Sequence, residues 1–460
     1  MSTKLVIAVF DIGKTNKKLF LFDEDYRVVY EHTERLAETT DEDGDPCEDI
    51  TSLRRFVINS LDKVFAKKQF AVKAINFSAY GASFVLVDGQ GNPVTPLYNY
   101  LKPYPSALQK KFYDTYGGEA EFSSRCASPI LGSLNSGMQL YRLKHERPQV
   151  FQKVKYALHL PQYLAYLISG KAYSDITSIG CHTNLWDFHT NSYHAWVTEE
   201  GISRVLPPVA PHNEVNTATF GENSFLVGSG LHDSSAALIP YLMSFHEPFV
   251  LISSGTWCIS LNPFNDSPLT QEELSQDCLC YLQFKGRPVK ASRLFAGQEH
   301  EDAVKRIATH FNQQPSFYKH IAFDAAMVAE LEQKDDHSFT DFASRDLNSF
   351  ANSVEAYHQL MMDLVRKQAA STWLVLIGAS VKRIFVDGGF SNNALYMNLL
   401  ATTFPGIEIY AASMTQATAL GAALALHGLW TKKQLPADII QLNYYGSLYE
   451  KITGYSPVGD

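Results

Sequence analysis

Four short segments of this chain combine residue types that could handle phosphate, a divalent cation and a proton. The first, Asp11-Ile-Gly-Lys-Thr-Asn16, sets a carboxylate at the end of an apolar run and follows it with a glycine and three polar side chains. A carboxylate there is costly unless hydrated, paired or close to a cation, so Asp11 is a candidate to orient Mg2+ through water; a turn-capping aspartate is the plainer alternative. Gly13 permits close backbone approach, and Lys14, Thr15 and Asn16 at the tip suit a phosphate held by backbone N–H groups, although an exposed turn lysine would look the same. The second segment, Ser253-Ser-Gly-Thr-Trp257, repeats this design, with Ser254, Gly255 and Thr256 as candidate phosphate contacts or as a tight turn whose serines cap their own backbone. In the third, His232-Asp233 follows Gly228-Ser-Gly230. Asp233 there is either a helix N-cap or a general base facing a cleft, and the residues leave both readings open. The fourth, Asp387-Gly-Gly-Phe-Ser-Asn392, follows a strand and precedes a helix. Its Gly388 and Gly389 could bring backbone close to an adenosine while Ser391 and Asn392 open a helix toward phosphates, but a Gly-Gly turn alone is unspecific.

These segments need strands and helices to hold them. Residues 6–12 and 249–254 are apolar runs that break into Gly-centred turns and resume as extended runs at 18–22 and 258–261, the pattern of a hairpin. Two copies, one opening each half of the chain, suggest a duplicated domain with a nucleotide between the halves. A third extended run at 28–34 completes an antiparallel trio. The acidic stretch 41–49 reads as a loop, either solvated or forming a rim against substrate hydroxyls. Residues 50–66 carry apolar side chains at 53, 56, 57, 61, 64 and 65, a helical stripe, and 71–77 is then a short buried strand. Residues 104–215 read as a helix- and aromatic-rich insertion that shapes a pocket. The second half repeats the plan, with a long irregular stretch to about 345, a helix from Ser353 with Ser353 as N-cap, a strand at 383–387, and a small-residue helix from Thr415 to His427.

Composition agrees with two globular domains. The chain has 460 residues, 45% hydrophobic and 12% aromatic, which exceeds the usual span of one core, and the division expected is 1–246 and 247–460. A formal charge of -9 argues against a nucleic-acid partner. The six cysteines form no disulfide framework, and Cys278-Leu-Cys280 lacks the second pair or histidines of a zinc site, so reduced structural thiols are expected. No apolar run approaches the roughly 18 residues of a membrane span, and no secretory leader pattern opens the chain, so a soluble cytoplasmic protein without membrane partners is expected.

Taken together and in this order, the motifs resemble the FGGY family of carbohydrate kinases, whose α/β fold has two actin-like (ribonuclease H-like) domains with mixed sheets flanked by helices. The resemblance spans nearly the whole chain. The segments Ile252-Ser-Ser-Gly-Thr-Trp257, His232-Asp233 and Tyr80-Gly-Ala-Ser-Phe-Val-Leu-Val-Asp88 look most like the rhamnulokinase and fuculokinase branch. It implies that ATP and a sugar meet in the interdomain cleft, that Asp233 accepts a proton from the attacking sugar hydroxyl, and that Mg2+ belongs with Asp11 and Asp233. His232, Gly81, Ser83 and Tyr80 would face the sugar, with Lys102, Gln162 and Tyr163 as further wall candidates. Related kinases often carry Asp where this chain has Ser83, and a charged aromatic cluster where it has residues 97–104, so the implied substrate stays broad: L-rhamnulose, L-fuculose or a ketopentulose. Homodimer assembly is left open. The competing readings are a non-catalytic sugar- or nucleotide-responsive binding protein on the same scaffold and an actin-like ATPase; a Rossmann dehydrogenase is excluded, since the three-glycine spacing is missing and a strand continues where the dinucleotide helix should start.

Overall fold

The computed structural model describes residues 3–335, 341–414 and 416–446. Two hairpins open two similar sheets. In the first half, strand Lys4–Ile12 turns into Lys17–Asp23, which runs antiparallel to Val28–Glu34. Helix Ile50–Phe65 follows, started by Asp49, whose carboxylate accepts the N–H groups of Thr51 and Ser52. Its buried residues Leu53, Phe56, Val57, Leu61 and Val64 form the stripe that the spacing predicts. Strand Phe70–Ala79 then lies parallel to the opening strand, with Asp11 beside Ser78. On its far side it pairs in parallel with Asn223–Gly228 and Leu231–His232.

The second half repeats the arrangement. Phe249–Ser254 and Cys258–Asn262 form the hairpin, Pro288–Leu294 is the third antiparallel strand, and helix Ser353–Leu376 leads to Arg383–Gly388, parallel to the first strand with Ser253 beside Asp387. Each half thus pairs a carboxylate with a serine at the ends of its two central strands, but on exchanged partners. Those strands are covered on both faces, which is why they read as unbroken apolar runs. The sequence expectation of mixed sheets flanked by helices holds in both halves.

Several local expectations change. The stretch read as irregular up to about 345 contains strands Cys278–Leu282 and Pro288–Leu294 and helices Ala296–His310 and Ala325–Lys334. Pro288 and Lys290 hide the strand pattern; Lys290 is buried because its ammonium meets Glu273 Oε1 at 2.6 Å. The N-cap of the long helix is Asn352, whose side chain accepts the N–H groups of Val354 and Glu355, and Ser353 is the first helical residue. The small-residue helix is Ala417–Leu424; Thr415 lies outside the described residues. All six cysteines are free and buried. Among the described residues no helix is long and apolar enough to cross a membrane.

The halves meet through two helices. Asp233–Ser244 crosses Ala417–Leu424 so closely that a Cβ on Gly421 would run into the Ala236 carbonyl. Small residues on both helices let the backbones approach. Beside that crossing, buried Asn76 donates from Nδ2 to the Ala422 carbonyl at 2.7 Å and accepts the Gly230 N–H at 3.2 Å.

Candidate active site

Asp11 ends the first strand of the first hairpin and is the point where the halves converge. Burial pushes its carboxyl up to about 6; the Thr418 hydroxyl from the second half opposes this, the Asp233 charge adds to it, and the Lys18 ammonium and Ser78 hydroxyl pull it down. Lys18 is the cross-strand partner of Asp11, and its Nζ donates to Gln416 Oε1 at 3.3 Å. The Asp233 charge is one of the causes that raise the Asp11 pKa, so a divalent ion near the two carboxylates would relieve that repulsion.

Asp233 is the first residue of its helix, with His232 at the N-cap position, and no side-chain capping bond forms there. Asp233 is thus not the N-cap itself, although its carboxylate satisfies one first-turn N–H, that of Ser234. Its side chain is 32% exposed, and the contacts it makes fall on Oδ1: His232 Nε2 at 3.2 Å, the Ser234 N–H at 2.6 Å and the Ser234 hydroxyl at 3.3 Å. Oδ2 is left to meet a ligand.

His232 is buried. Its Nε2 also lies 3.3 Å from Cys181 Sγ, its Nδ1 lies 3.4 Å from the Ser235 hydroxyl, and its backbone N–H donates to Thr177 Oγ1 at 3.0 Å. Burial holds its pKa below the ordinary histidine value despite the neighbouring Asp233, so the ring is neutral at neutral pH, and its Nε2 faces both Asp233 Oδ1 and the Cys181 thiol. Gly81 packs on this ring: a Cβ there would stand 2.8 Å from His232 Cδ2 and 3.0 Å from Nε2. Tyr281, from the second half, stands edge-on to His232 at 5.7 Å between ring centres and lies 6.0 Å from His182, whose pKa burial drives down to about 3.

The remaining sugar-side candidates divide. Ser83 is buried with a hydroxyl that meets no protein partner among the described residues, and Tyr80 donates to Glu48 Oε2 at 3.1 Å. Gln162 donates from Nε2 to the Gly230 carbonyl at 2.9 Å, which fixes the loop ahead of His232, and Tyr163 is buried in the first-half core. Lys102 is buried among Asp41, Asp43 and Asp45, its ammonium 2.8 Å from Asp43 and 3.2 Å from Asp45. One ammonium thus offsets part of the charge of three carboxylates in the acidic loop.

Around the second hairpin, Ser254 stitches two loops. Its hydroxyl donates to the Asp387 carbonyl and accepts the Phe390 N–H at 3.0 Å, while its own carbonyl accepts the Gly389 N–H at 3.0 Å. Gly388 sits at φ +80° against that carbonyl, where a Cβ would collide. Ser391 closes the turn by donating to the Gly388 carbonyl at 2.8 Å. Beyond the turn opens a cavity of about 690 Å³ lined by Gly255, Gly297, His300, Tyr318, Gly389 and Asn392 among others. Thr256 lies beside it and accepts the Gly297 N–H at 3.2 Å on its carbonyl. An aromatic wall, a backbone-lined mouth and the second hairpin at its rim fit an adenosine with its phosphates directed to the cleft.

Sequence reasoning located both hairpins, the His232-Asp233 pair and the turn at 388–392. It missed Tyr281, His182 and Cys181 around His232, Lys18 beside Asp11, Lys17 behind the first turn, and His300 and Tyr318 in the cavity.

Residues 6–239 match the model described as the FGGY family of carbohydrate kinases, N-terminal domain, and residues 246–435 match the carbohydrate kinase FGGY, C-terminal domain. A rhamnulokinase of Mannheimia succiniciproducens is 24% identical over 268 residues, 56% of this chain and 53% of its own length; one of Bacteroides thetaiotaomicron is 24% identical over 239 residues, 49% and 47%. The chain spans about half the length of the curated relatives it matches. Among solved structures, a carbohydrate kinase from Novosphingobium aromaticivorans superposes with TM-score 0.80 at 23% identity, covering 97% of this chain and 95% of that one. A xylulose kinase from Lactobacillus acidophilus superposes with TM-score 0.79 at 14% identity, covering 98% and 95%.

Proposed function

The chain belongs to the FGGY family of carbohydrate kinases, and from that premise we propose that it transfers the γ-phosphate of ATP to a hydroxyl of a ketose, with Asp233 as general base. The observation that carries this reading is the Asp233 carboxylate: engaged on Oδ1 by His232 and Ser234, open on Oδ2, and close enough to Asp11 to raise its pKa. In-line transfer leaves the protein little covalent work, so positioning and charge supply most of the effect. The sugar hydroxyl presents its proton to Oδ2, the oxygen attacks phosphorus, and the bond to the β-phosphate oxygen breaks as ADP leaves. Ser234 keeps Asp233 oriented through Oδ1, and His232, packed against that oxygen, does not take the proton, because burial disfavours its charged form. Mg2+ would be held at Asp11, with the Asp233 charge adding to the same negative field, and would neutralise phosphate charge.

The walls around Asp233 favour an uncharged sugar. His232 and His182 are neutral, and Tyr281 and Tyr100 bring phenol rings. Such groups read a pattern of hydroxyls through hydrogen bonds, and the positive charge that acts on both His182 and Tyr281, the Arg293 guanidinium, is paired with Asp277. L-Rhamnulose, L-fuculose and ketopentuloses are the substrates to test first, since curated relatives are rhamnulokinases. The protein acts without nucleic-acid or membrane partners in this reading, in the cytoplasm. ADP release measured with ATP, Mg2+ and each ketose in turn tests it; stimulation by one neutral ketose and none by sugar acids is the expected result, and no stimulation by any sugar contradicts it.

A further inference from the structure

The first turn holds three lysines in five residues, at 14, 17 and 18, and they do different things. Lys14 pairs on the surface with Glu38 at 2.9 Å, while Lys18 lies beside Asp11. Lys17 points inward and is 1% exposed. Its ammonium meets Glu48 Oε1 at 2.8 Å and Oε2 at 3.0 Å and donates to the carbonyls of Gly13 at 3.0 Å and Lys14 at 2.9 Å. Glu48 is equally buried, and the Tyr80 hydroxyl donates to its Oε2.

Burying an ion pair costs several kcal/mol of desolvation per ion, roughly, so it needs every donor and acceptor satisfied and is weak evidence for stability. This pair meets that condition by taking its extra bonds from one place, the turn. A trans peptide points C=O and N–H in opposite directions. With the Gly13 and Lys14 carbonyls turned in to the ammonium, the N–H groups of the next residues, Lys14 and Thr15, are turned out. Neither donates to a protein group among the described residues, whereas the Gly13 N–H is used by the Asn16 carbonyl at 3.0 Å. Two adjacent outward N–H groups backed by a buried positive charge form an anion-binding concavity.

We propose that Lys17 and Glu48 are a buried positioning device that presents the Lys14 and Thr15 N–H groups to the terminal phosphates of the nucleotide. The device rests on the kinase reading above for the identity of its ligand. Neither residue touches the nucleotide; both act through the turn. Loss of the device should therefore weaken binding in proportion to the phosphates a ligand carries and leave the nucleoside's own affinity alone.

The test uses the full chain without sugar. The double variant Lys17→Met/Glu48→Gln keeps unbranched side chains of similar bulk and removes both charges together. Calorimetric titration with the non-hydrolysable analogue AMP-PNP and with adenosine is expected to show the analogue's Kd rising about tenfold or more, the loss of one or two charge-assisted hydrogen bonds, and adenosine's changing by less than about twofold. An unchanged Kd for AMP-PNP, or an equal fall for both ligands, overturns the proposal. Should the double variant not fold, wild-type protein selectively labelled with 15N-lysine and 15N-threonine decides: the Lys14 and Thr15 amide signals are expected to move with AMP-PNP and stay with adenosine, and signals that ignore AMP-PNP refute the device. A wild-type protein that binds no AMP-PNP would sink the kinase reading and the device together, whereas wild-type binding with an indifferent double variant sinks the device alone.

Discussion

Gly421→Ala is the smallest change that should separate the two halves. The added Cβ would meet the Ala236 carbonyl head-on, with the carbonyl carbon at 2.6 Å and Ala236 Cα at 3.3 Å. Since the obstacle is backbone, no side-chain rotation relieves it, and the helices Ala417–Leu424 and Asp233–Ser244 must part by roughly 1 Å. Two effects on stability oppose each other. Replacing glycine by alanine within a helix contributes up to about 1 kcal/mol, while overpacking costs about 1–3 kcal/mol, so a net loss of about 0–2 kcal/mol is expected. At about 2–4 °C per kcal/mol for domains of this size, the melting temperature should fall by at most about 8 °C. Turnover should suffer more, because Asp233 stands at the head of the displaced helix and a misplacement of about 1 Å costs up to about 10²-fold. Thermal melting and sugar-stimulated ADP release on the same preparation give both numbers. A variant with wild-type melting and wild-type kcat refutes the reasoning, and so does rescue by Ala236→Gly, which removes a side chain but leaves the carbonyl in place.

Three further outcomes follow from the same geometry. Asp175 is buried and its pKa is raised from 3.8 to about 6 by burial, against the Thr177 and Ser229 hydrogen bonds. Its folded form thus holds the proton more tightly than the unfolded chain, so stability is lost as pH rises from about 4 to about 6, by up to about 3 kcal/mol; Asp175→Asn should gain on wild type in melting temperature across that window, and a gap independent of pH contradicts this. Gly81→Ala should push the His232 ring off Asp233 and lower kcat/KM for the sugar by about tenfold or more with little change in the KM for ATP, checked by steady-state kinetics with each substrate varied in turn. Tyr318→Ala, in the 690 Å³ cavity, should raise the KM for ATP several-fold, about 1 kcal/mol of lost aromatic contact, and leave kcat near wild type.

Much of this site was legible because its chemistry sits at strand ends. Asp11, the turn at 13–16, Ser253 to Thr256 and the turn at 388–392 each follow an apolar run in a local pattern that needs no knowledge of distant residues. Roles that depend on a partner far along the chain were not legible. Lys14, Lys17 and Lys18 look alike in sequence, and only the approach of Glu48 makes Lys17 the buried one. The acidic loop at 41–49 reads as a free rim until Lys102 arrives among its carboxylates. Tyr281 joins the pocket around His232 because Gly180 lets the second half come close: a Cβ there would stand 2.6 Å from Leu282 Cβ. His300 and Tyr318 went unnoticed because they lie in the stretch that reads as irregular, and only the fold brings them beside Gly389 and Asn392, far along the chain.

The central claim is that Asp233 takes the proton from a sugar hydroxyl, and Asp233→Asn tests it with almost no change of shape. Asparagine can still accept the Ser234 N–H through one oxygen but cannot take a proton at the other position. With the best ketose saturating and folded protein confirmed by melting, the account predicts sugar-stimulated ADP release lowered by about 10²- to 10⁴-fold, roughly 3–5 kcal/mol of barrier. Wild-type turnover in the folded variant would contradict it.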